Sequence, residues 1–107
     1  MPDLFRGLLP LLILRTVADG ELYGYEISRR IRQSTGEALA LSEGSLYPAL
    51  HRLEADGALE AKWQPSEKGP SRRYYRITKK GSGMLAKYER EWSEVRLAVD
   101  RLGPQPT

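Results

Sequence analysis

The chain is predicted to be mainly α-helical with one small β-hairpin, and three features of its 107 residues carry that prediction. Four stretches repeat apolar residues every three or four positions, the spacing of one helix face. Two short runs alternate apolar and polar residues on either side of a cluster of turn formers, the mark of a hairpin. The surplus positive charge is confined to that hairpin and its exit: residues 66–80 hold six Lys and Arg against one Glu, a net of +5 in a chain whose total is +3. The length suits one domain. A chain so short buries only about two-thirds of its unfolded surface, so self-association would add stability.

The first helix is expected over about 8–18, with Pro10 in its first turn, where the missing N–H costs nothing, and Gly20 as its stop. Leu8, Leu9, Leu11, Leu12, Ile13, Leu14 and Val17 cover more than one face. Such a helix must be covered on more than one side, and a second subunit is the expected second cover. Residues 23–34 read as a second helix with Ile27 and Ile31 on its buried stripe and Ser34-Thr35-Gly36 at its end. Arg29, Arg30 and Arg32 fall on its other faces, where a solvated surface is the commoner explanation and a phosphate contact the alternative.

A third helix spans 42–57, with Leu46, Ala49, Leu50 and Leu53 on one face and Asp56-Gly57 closing it. Pro48 decides its start. An N-cap at Ser42 would put Pro48 in the second turn, against the carbonyl of Gly44. An N-cap at Ser45 makes Pro48 the third helical residue, so a regular helix from about 45 is expected. Residues 59–65 alternate, with Leu59, Ala61 and Trp63 on one face, and residues 72–78 alternate likewise; 66–71 is the connecting loop. Trp63 and Tyr75 are expected in the core and Tyr74 on the outside.

The last helix runs over 79–102. Leu85, Tyr88, Trp92, Val95, Val99 and Leu102 are spaced alternately three and four apart, a heptad seam over about two and a half heptads. Residues 103–107, rich in Gly and Pro, are expected to be a disordered tail.

Several chemistries are excluded. There is no Cys and a single His, so no disulfide, thiolate metal site or Cys nucleophile is expected, and His51 has nothing to share a metal with. No metal site or cofactor is predicted. No paired carboxylates, Gly-rich phosphate loop or nucleophile–base pair suggests an enzyme. The apolar run Leu8–Leu14 is interrupted by Pro10 and falls far short of the roughly 20 residues that span a bilayer. It lacks the flanks of a secretory signal, so no membrane partner and a cytoplasmic location are expected.

Three helices, a basic two-stranded wing and a long last helix make the winged helix-turn-helix arrangement over residues 1–78, with 79–102 as a dimerisation helix. A helix fits the major groove of B-DNA, about 12 Å wide. The outer face of the third helix offers Ser45, Tyr47, Pro48, His51 and Arg52, with Ser45 placed to present its hydroxyl and backbone N–H to a phosphate. Lys68, Arg72 and Arg73, with Tyr74, are the wing's candidates for the backbone or minor groove. The seam residues, with Leu8 and Leu12, are the expected dimer interface. Two recognition helices held by such a dimer would sit about 34 Å apart, one turn of DNA. Trp92 has two readings: packed dimer core, or one wall of a cavity, with Leu8, Leu12 and Val95, that takes a small hydrophobic or aromatic effector.

Three motifs occur in order: Tyr23-Gly24-Tyr25-Glu26-Ile27; the run from Gly44-Ser45-Leu46-Tyr47-Pro48 to Asp56-Gly57; and Arg72-Arg73-Tyr74-Tyr75-Arg76-Ile77-Thr78. Together they resemble the PadR family of transcriptional regulators over nearly the whole chain. The resemblance implies a dimeric bacterial repressor whose third helix enters the major groove of an inverted-repeat operator in double-stranded DNA. It places Ser45, Tyr47, Pro48 and His51 on the groove-facing helix, Lys68, Arg72 and Arg73 on the basic wing, and Tyr74 and Tyr75 at the paired wing tyrosines. With room for one C-terminal helix only, the chain resembles the short subclass. Gly20-Glu21-Leu22, where a Pro often stands in the middle, and Ala58, in place of a larger apolar residue, are local departures. The competing reading is a winged-helix protein-interaction module without a DNA role.

Overall fold

The computed structural model describes residues 3–103. A 3-10 helix over Asp3–Leu8 leads into α1 (Leu9–Val17), followed by β1 (Leu22–Tyr23), α2 (Gly24–Ser34), α3 (Glu43–Ala55), β2 (Leu59–Ser66), β3 (Gly69–Ile77) and α4 (Lys79–Arg101). The strands form one antiparallel sheet in the order β1-β3-β2. This is a winged helix-turn-helix with a long fourth helix, the class predicted. Of the expected tail 103–107, residues 104–107 lie outside the described residues.

The core gathers on α1. Leu9, Leu11, Ile13, Leu14 and Val17 are buried, and the helix packs against α2, α3, β3 and α4. Its apolar circumference is therefore covered mostly within one chain, which corrects the expectation that a second subunit must supply the second cover. Leu8 and Leu12 stay half-buried. The predicted stripes Ile27 and Ile31 of α2, and Leu46, Ala49, Leu50 and Leu53 of α3, close over the same core with Leu59 and Tyr75.

The second helix starts one residue later than expected because Leu22 and Tyr23 form a third strand, opposite Tyr75 and Tyr74 of β3. Tyr23 is extended, and its N–H donates to Glu26 Oε1 at 3.2 Å, capping α2. Two residues are too few to show a period, so β1 leaves no alternation in the sequence.

The third helix starts earlier than expected. Its N-cap is Ser42, extended at φ −77°, ψ 159°. The Ser42 hydroxyl oxygen accepts the Ser45 N–H at 3.2 Å, and the Ser42 carbonyl accepts Leu46 N–H at 2.9 Å. Pro48 lies inside the helix. The hydrogen bond it removes is the one to Gly44, which is exposed, so that carbonyl is open to water and the penalty is softened; the Ser42 cap offsets part of what is left.

The end of α3 is a Schellman turn. Gly57 sits at φ +79°, its N–H donating to Glu54 O while Ala58 N–H donates to Leu53 O. Thr78 then ties α4 to this turn: its N–H donates to Ala58 O, its hydroxyl donates to Gly57 O at 2.6 Å, and its Oγ1 accepts Gly81 N–H at 3.0 Å. A Cβ at Gly81 would overlap the Ala58 carbonyl. Here glycine serves close approach between backbones, and α4 leaves the wing junction in one fixed direction.

The hairpin is longer and its turn tighter than predicted. The strands run to Ser66 and from Gly69, leaving Glu67-Lys68 as the turn, with an irregularity in the ladder between Gln64 and Ser66. Pro65, without an N–H to give the ladder, occupies that irregularity on the edge strand β2.

The 23-residue helix α4 is about 34 Å long and extends the molecule to 61 Å. Leu85 and Tyr88 pack against the chain's own core, and Arg15 of α1 clamps Glu89 through both carboxylate oxygens. That pairing holds the Glu89 carboxyl below its ordinary pKa.

Candidate nucleic-acid interface

The outward face of α3 presents Tyr47, Pro48, His51 and Arg52, all exposed. Tyr47 is half held: its ring lies across Gly24, where a Cβ would come within 2.9 Å of it. Gly24 thus lets the N-terminus of α2 sit under the third helix. Ser45 departs from its expected role. It is half-buried and its N–H is already taken by Ser42, so it cannot offer that N–H to a phosphate.

The wing divides by parity. Leu59, Ala61, Trp63, Arg73, Tyr75 and Ile77 share the face turned toward the helices, since Leu59 pairs with Ile77, Ala61 with Tyr75 and Trp63 with Arg73. Burial along this face fades outward from Leu59 through half-buried Ala61 to Trp63, 65% exposed. Trp63 was expected in the core. The wing projects past the helices, so its inner face runs out of cover before Trp63.

Tyr75 is buried as expected, and burial pushes its phenol pKa up against the opposing effect of Arg73. Tyr74 lies on the opposite face, half-buried with its ring edge-on to Tyr23 at 5.5 Å. Its surroundings mix Glu21, Glu54 and Glu60 with Lys62, its partner in the ladder, and Arg76. Tyr74 is therefore half-buried rather than exposed, and it lies outside the cleft that holds Tyr47 and His51.

The two adjacent wing arginines have different environments. Arg73 Nη2 is 2.6 Å from Glu54 Oε2 of α3, its guanidinium lies 5.8 Å from the Tyr75 ring centre, and its Nε is buried without a partner. It is a brace between wing and helix with its charge balanced by Glu54, not the free cation expected. Arg72 is exposed beyond the end of β1, with its guanidinium 4.5 Å over the Tyr23 ring. Lys68 is exposed at the hairpin turn. Arg29 and Arg30 are exposed on α2, while Arg32 pairs with Glu37 at 3.3 Å.

These pieces meet in an open cleft of about 480 Å³ between α3 and the wing, lined by Tyr47 and His51 on one side, Trp63, Ser71, Arg72 and Arg73 on the other, and Tyr23, Gly24, Tyr25 and Tyr75 around its floor and rim. Sequence reasoning missed Tyr23, Tyr25 and Trp63 here. The N-terminal motif Tyr23-Gly24-Tyr25 was visible, but nothing local in it says that it abuts the third helix.

A second hollow of about 540 Å³ lies at the far end, between α1 and α4. Leu8, Leu11, Tyr88, Trp92, Val95 and Val99 line it with Gly7, Glu91, Arg96 and Asp100. It brings together Leu8, Trp92 and Val95 of the expected effector set; Leu12 is not among its lining residues. Val95, Val99 and Leu102 of the heptad seam are exposed in the single chain.

An exposed helix face set beside a cationic wing defines a winged helix-turn-helix regulator of the DNA-reading type. The model of the transcriptional regulator PadR-like family matches residues 13–87, and the chain belongs to that family. It is 37% identical over 105 residues to the transcriptional regulator Rv3488 of Mycobacterium tuberculosis, covering 98% of this chain and 92% of that one. Its fold is similar to a transcriptional regulator from Clostridium thermocellum, with a TM-score of 0.89 and 33% identity over 96% of this chain and all of the other. A PadR-like transcriptional regulator from Bacillus cereus matches with a TM-score of 0.83 and 32% identity, covering 98% of this chain and 100% of that one. The family and these relatives are regulators of transcription, not enzymes. Among the described residues, no helix is long and apolar enough to cross a membrane.

Proposed function

We propose that the chain is a repressor that binds an inverted-repeat operator as a homodimer and is released by a small hydrophobic or aromatic effector. The observation that carries the DNA reading is the open cleft lined together by exposed Tyr47 and His51 of α3 and by Arg72 of the wing. With α3 in the major groove, Tyr47, Pro48, His51 and Arg52 meet base edges or flanking phosphates, and Arg72 and Lys68 meet the backbone. Ser45 retains its hydroxyl for a phosphate contact. Arg73 acts through the wing's position, and Tyr74 has no contact in this scheme.

The dimer reading is supported by the seam on α4. Val95, Val99 and Leu102 leave an exposed apolar edge, continuous with half-buried Trp92 and Leu8. Pairing two such edges hides the apolar surface, which provides the driving force. The effector reading is supported by the hollow beside Trp92, whose volume of about 540 Å³ lies within the range of roughly 300–1,000 Å³ common for small-molecule sites.

Mobility-shift titrations with duplex DNA at two salt concentrations test the proposal. A steep fall of affinity with salt is expected, because neutralised phosphates release counterions. Absence of salt-dependent binding would favour the protein-interaction module instead.

A further inference from the structure

Among the described residues, Trp63 is the most exposed aromatic side chain. It is 65% exposed, so it fills no core, yet it is not loose. It sits in the β2–β3 ladder opposite Arg73, whose guanidinium lies 6.0 Å from the indole ring centre and is tethered to Glu54 of α3. An apolar ring that is both open to water and braced in place is arranged for something outside the chain.

The cleft fixes what that something is. Trp63 shares it with Ser71 and Arg72 on the wing side and faces Tyr47 and His51 of α3. When a helix lies in the major groove and a wing reaches the neighbouring minor groove, the strand between the two grooves passes through the gap between helix and wing. That strand shows alternating phosphates and deoxyribose faces. The cleft offers the matching pair: Arg72, exposed over the Tyr23 ring and without a carboxylate partner among the described residues, for phosphate, and the Trp63 indole as a flat apolar surface for sugar.

Resting on the DNA reading above, we infer that Trp63 is a further DNA-contacting residue, packing on the deoxyribose of the strand that separates the two grooves, with Glu54 and Arg73 as positioning residues that hold it there. The contact is apolar and touches no base edge, so it adds affinity without adding salt dependence or base preference.

The test uses the full chain and a mixed-sequence duplex three helical turns long, since the contact is sequence-neutral. Trp63→Ala is expected to weaken duplex binding roughly tenfold, the effect of hiding about 55 Å² of apolar surface at about 25 cal/mol per Å², with the slope of affinity against salt unchanged. Trp63→Phe restores most of the loss.

The chain has two Trp residues, so the Trp63 emission is read as the difference between the parent and Trp63→Phe. Duplex should then shift its emission to shorter wavelength and shield it from iodide. Wild-type affinity in Trp63→Ala, alongside steep salt-dependent binding by the parent, overturns the Trp63 assignment alone. An affinity loss with Trp63 emission indifferent to duplex overturns it too, tracing the loss to another cause such as weakened self-association. A parent chain with no salt-dependent binding overturns the DNA reading as well.

Discussion

Two hollows of this molecule each hold a tryptophan, and their surroundings differ. In the cleft between α3 and the wing, Trp63 has Arg72, Arg73 and His51 for company. In the groove between α1 and α4, Trp92 has Leu8, Leu11, Val95 and Val99. Cations beside an exposed ring suit a ligand with both charge and apolar surface, such as a nucleic-acid strand. Aliphatic side chains around a ring suit an apolar ligand or a second apolar face. The two ends of one small chain thus carry different surfaces, one cationic and aromatic, the other aliphatic. Hydrogen bonds at Gly57, Ala58, Thr78 and Gly81 tie α4 to the junction of α3 and the wing.

Charging the apolar end should have the largest effect. Val95→Asp combined with Val99→Asp should leave helix content intact by circular dichroism and yield single protomers in sedimentation at micromolar concentration. Operator binding should fall by at least about a hundredfold, because the two half-sites are no longer engaged together. A dimer that survives both substitutions would remove the α4 seam from the interface.

Trp92→Ala separates the two readings of that groove. Loss of quenching by planar dyes with the dimer intact makes Trp92 a ligand-stacking residue. Loss of the dimer itself makes it interface core.

At the other end, the two neighbouring arginines should behave differently. Arg72→Ala is expected to lower the salt slope of duplex binding by about 1, one phosphate contact. Arg73→Ala should leave the slope unchanged but strand half-buried Glu54, costing roughly 1–3 kcal/mol of stability. Thermal melts would read this as a lower Tm, about 4–8 °C for each kcal/mol in a chain of this size. A slope lowered by about 1 from the parent in Arg73→Ala would show Arg73 to be a phosphate contact after all, and a parent-like slope in Arg72→Ala would remove Arg72 from the phosphate contacts.

The smallest effect concerns the α1–α4 clamp. Arg15 holds the Glu89 carboxyl below its ordinary pKa, so the folded chain binds that proton less readily than the unfolded chain. The stabilisation is present above the ordinary carboxylate range and is lost as pH falls through Glu89's lowered value. Glu89→Gln should therefore lower Tm near neutral pH by the equivalent of at most about 1 kcal/mol, the pair being partly exposed. The gap to the parent should close on acidification, and a gap independent of pH would show that the pair does not carry it.

Much of the interface was legible because its residues obey local rules. Leu46, Ala49, Leu50 and Leu53 mark the buried stripe of α3, so Tyr47, Pro48, His51 and Arg52 had to face outward. Alternation placed Tyr74 and Tyr75 on opposite faces of the wing. What alternation could not say is which face looks toward α3, or how far the helices cover it. That is why Trp63 was expected inside and Tyr74 toward a phosphate. Arg73 was read as a free cation because its partner Glu54 is 19 residues away in sequence.

The start of α3 shows the same limit at shorter range. Pro48 argues for a late start by its own penalty, but the carbonyl it leaves unpaired belongs to exposed Gly44 and is open to water, and the Ser42 cap adds its own smaller stabilisation to the early start.

Spacing along the chain sets the four helices, the hairpin, their order, their buried stripes and the family motifs. Packing between elements sets the exposure of Trp63, the pairing of Arg73 with Glu54 while Arg72 lies over Tyr23, and the existence of β1. These depend on where one element ends relative to another in space. That relation is set by contacts between distant residues, which leave no period in the chain.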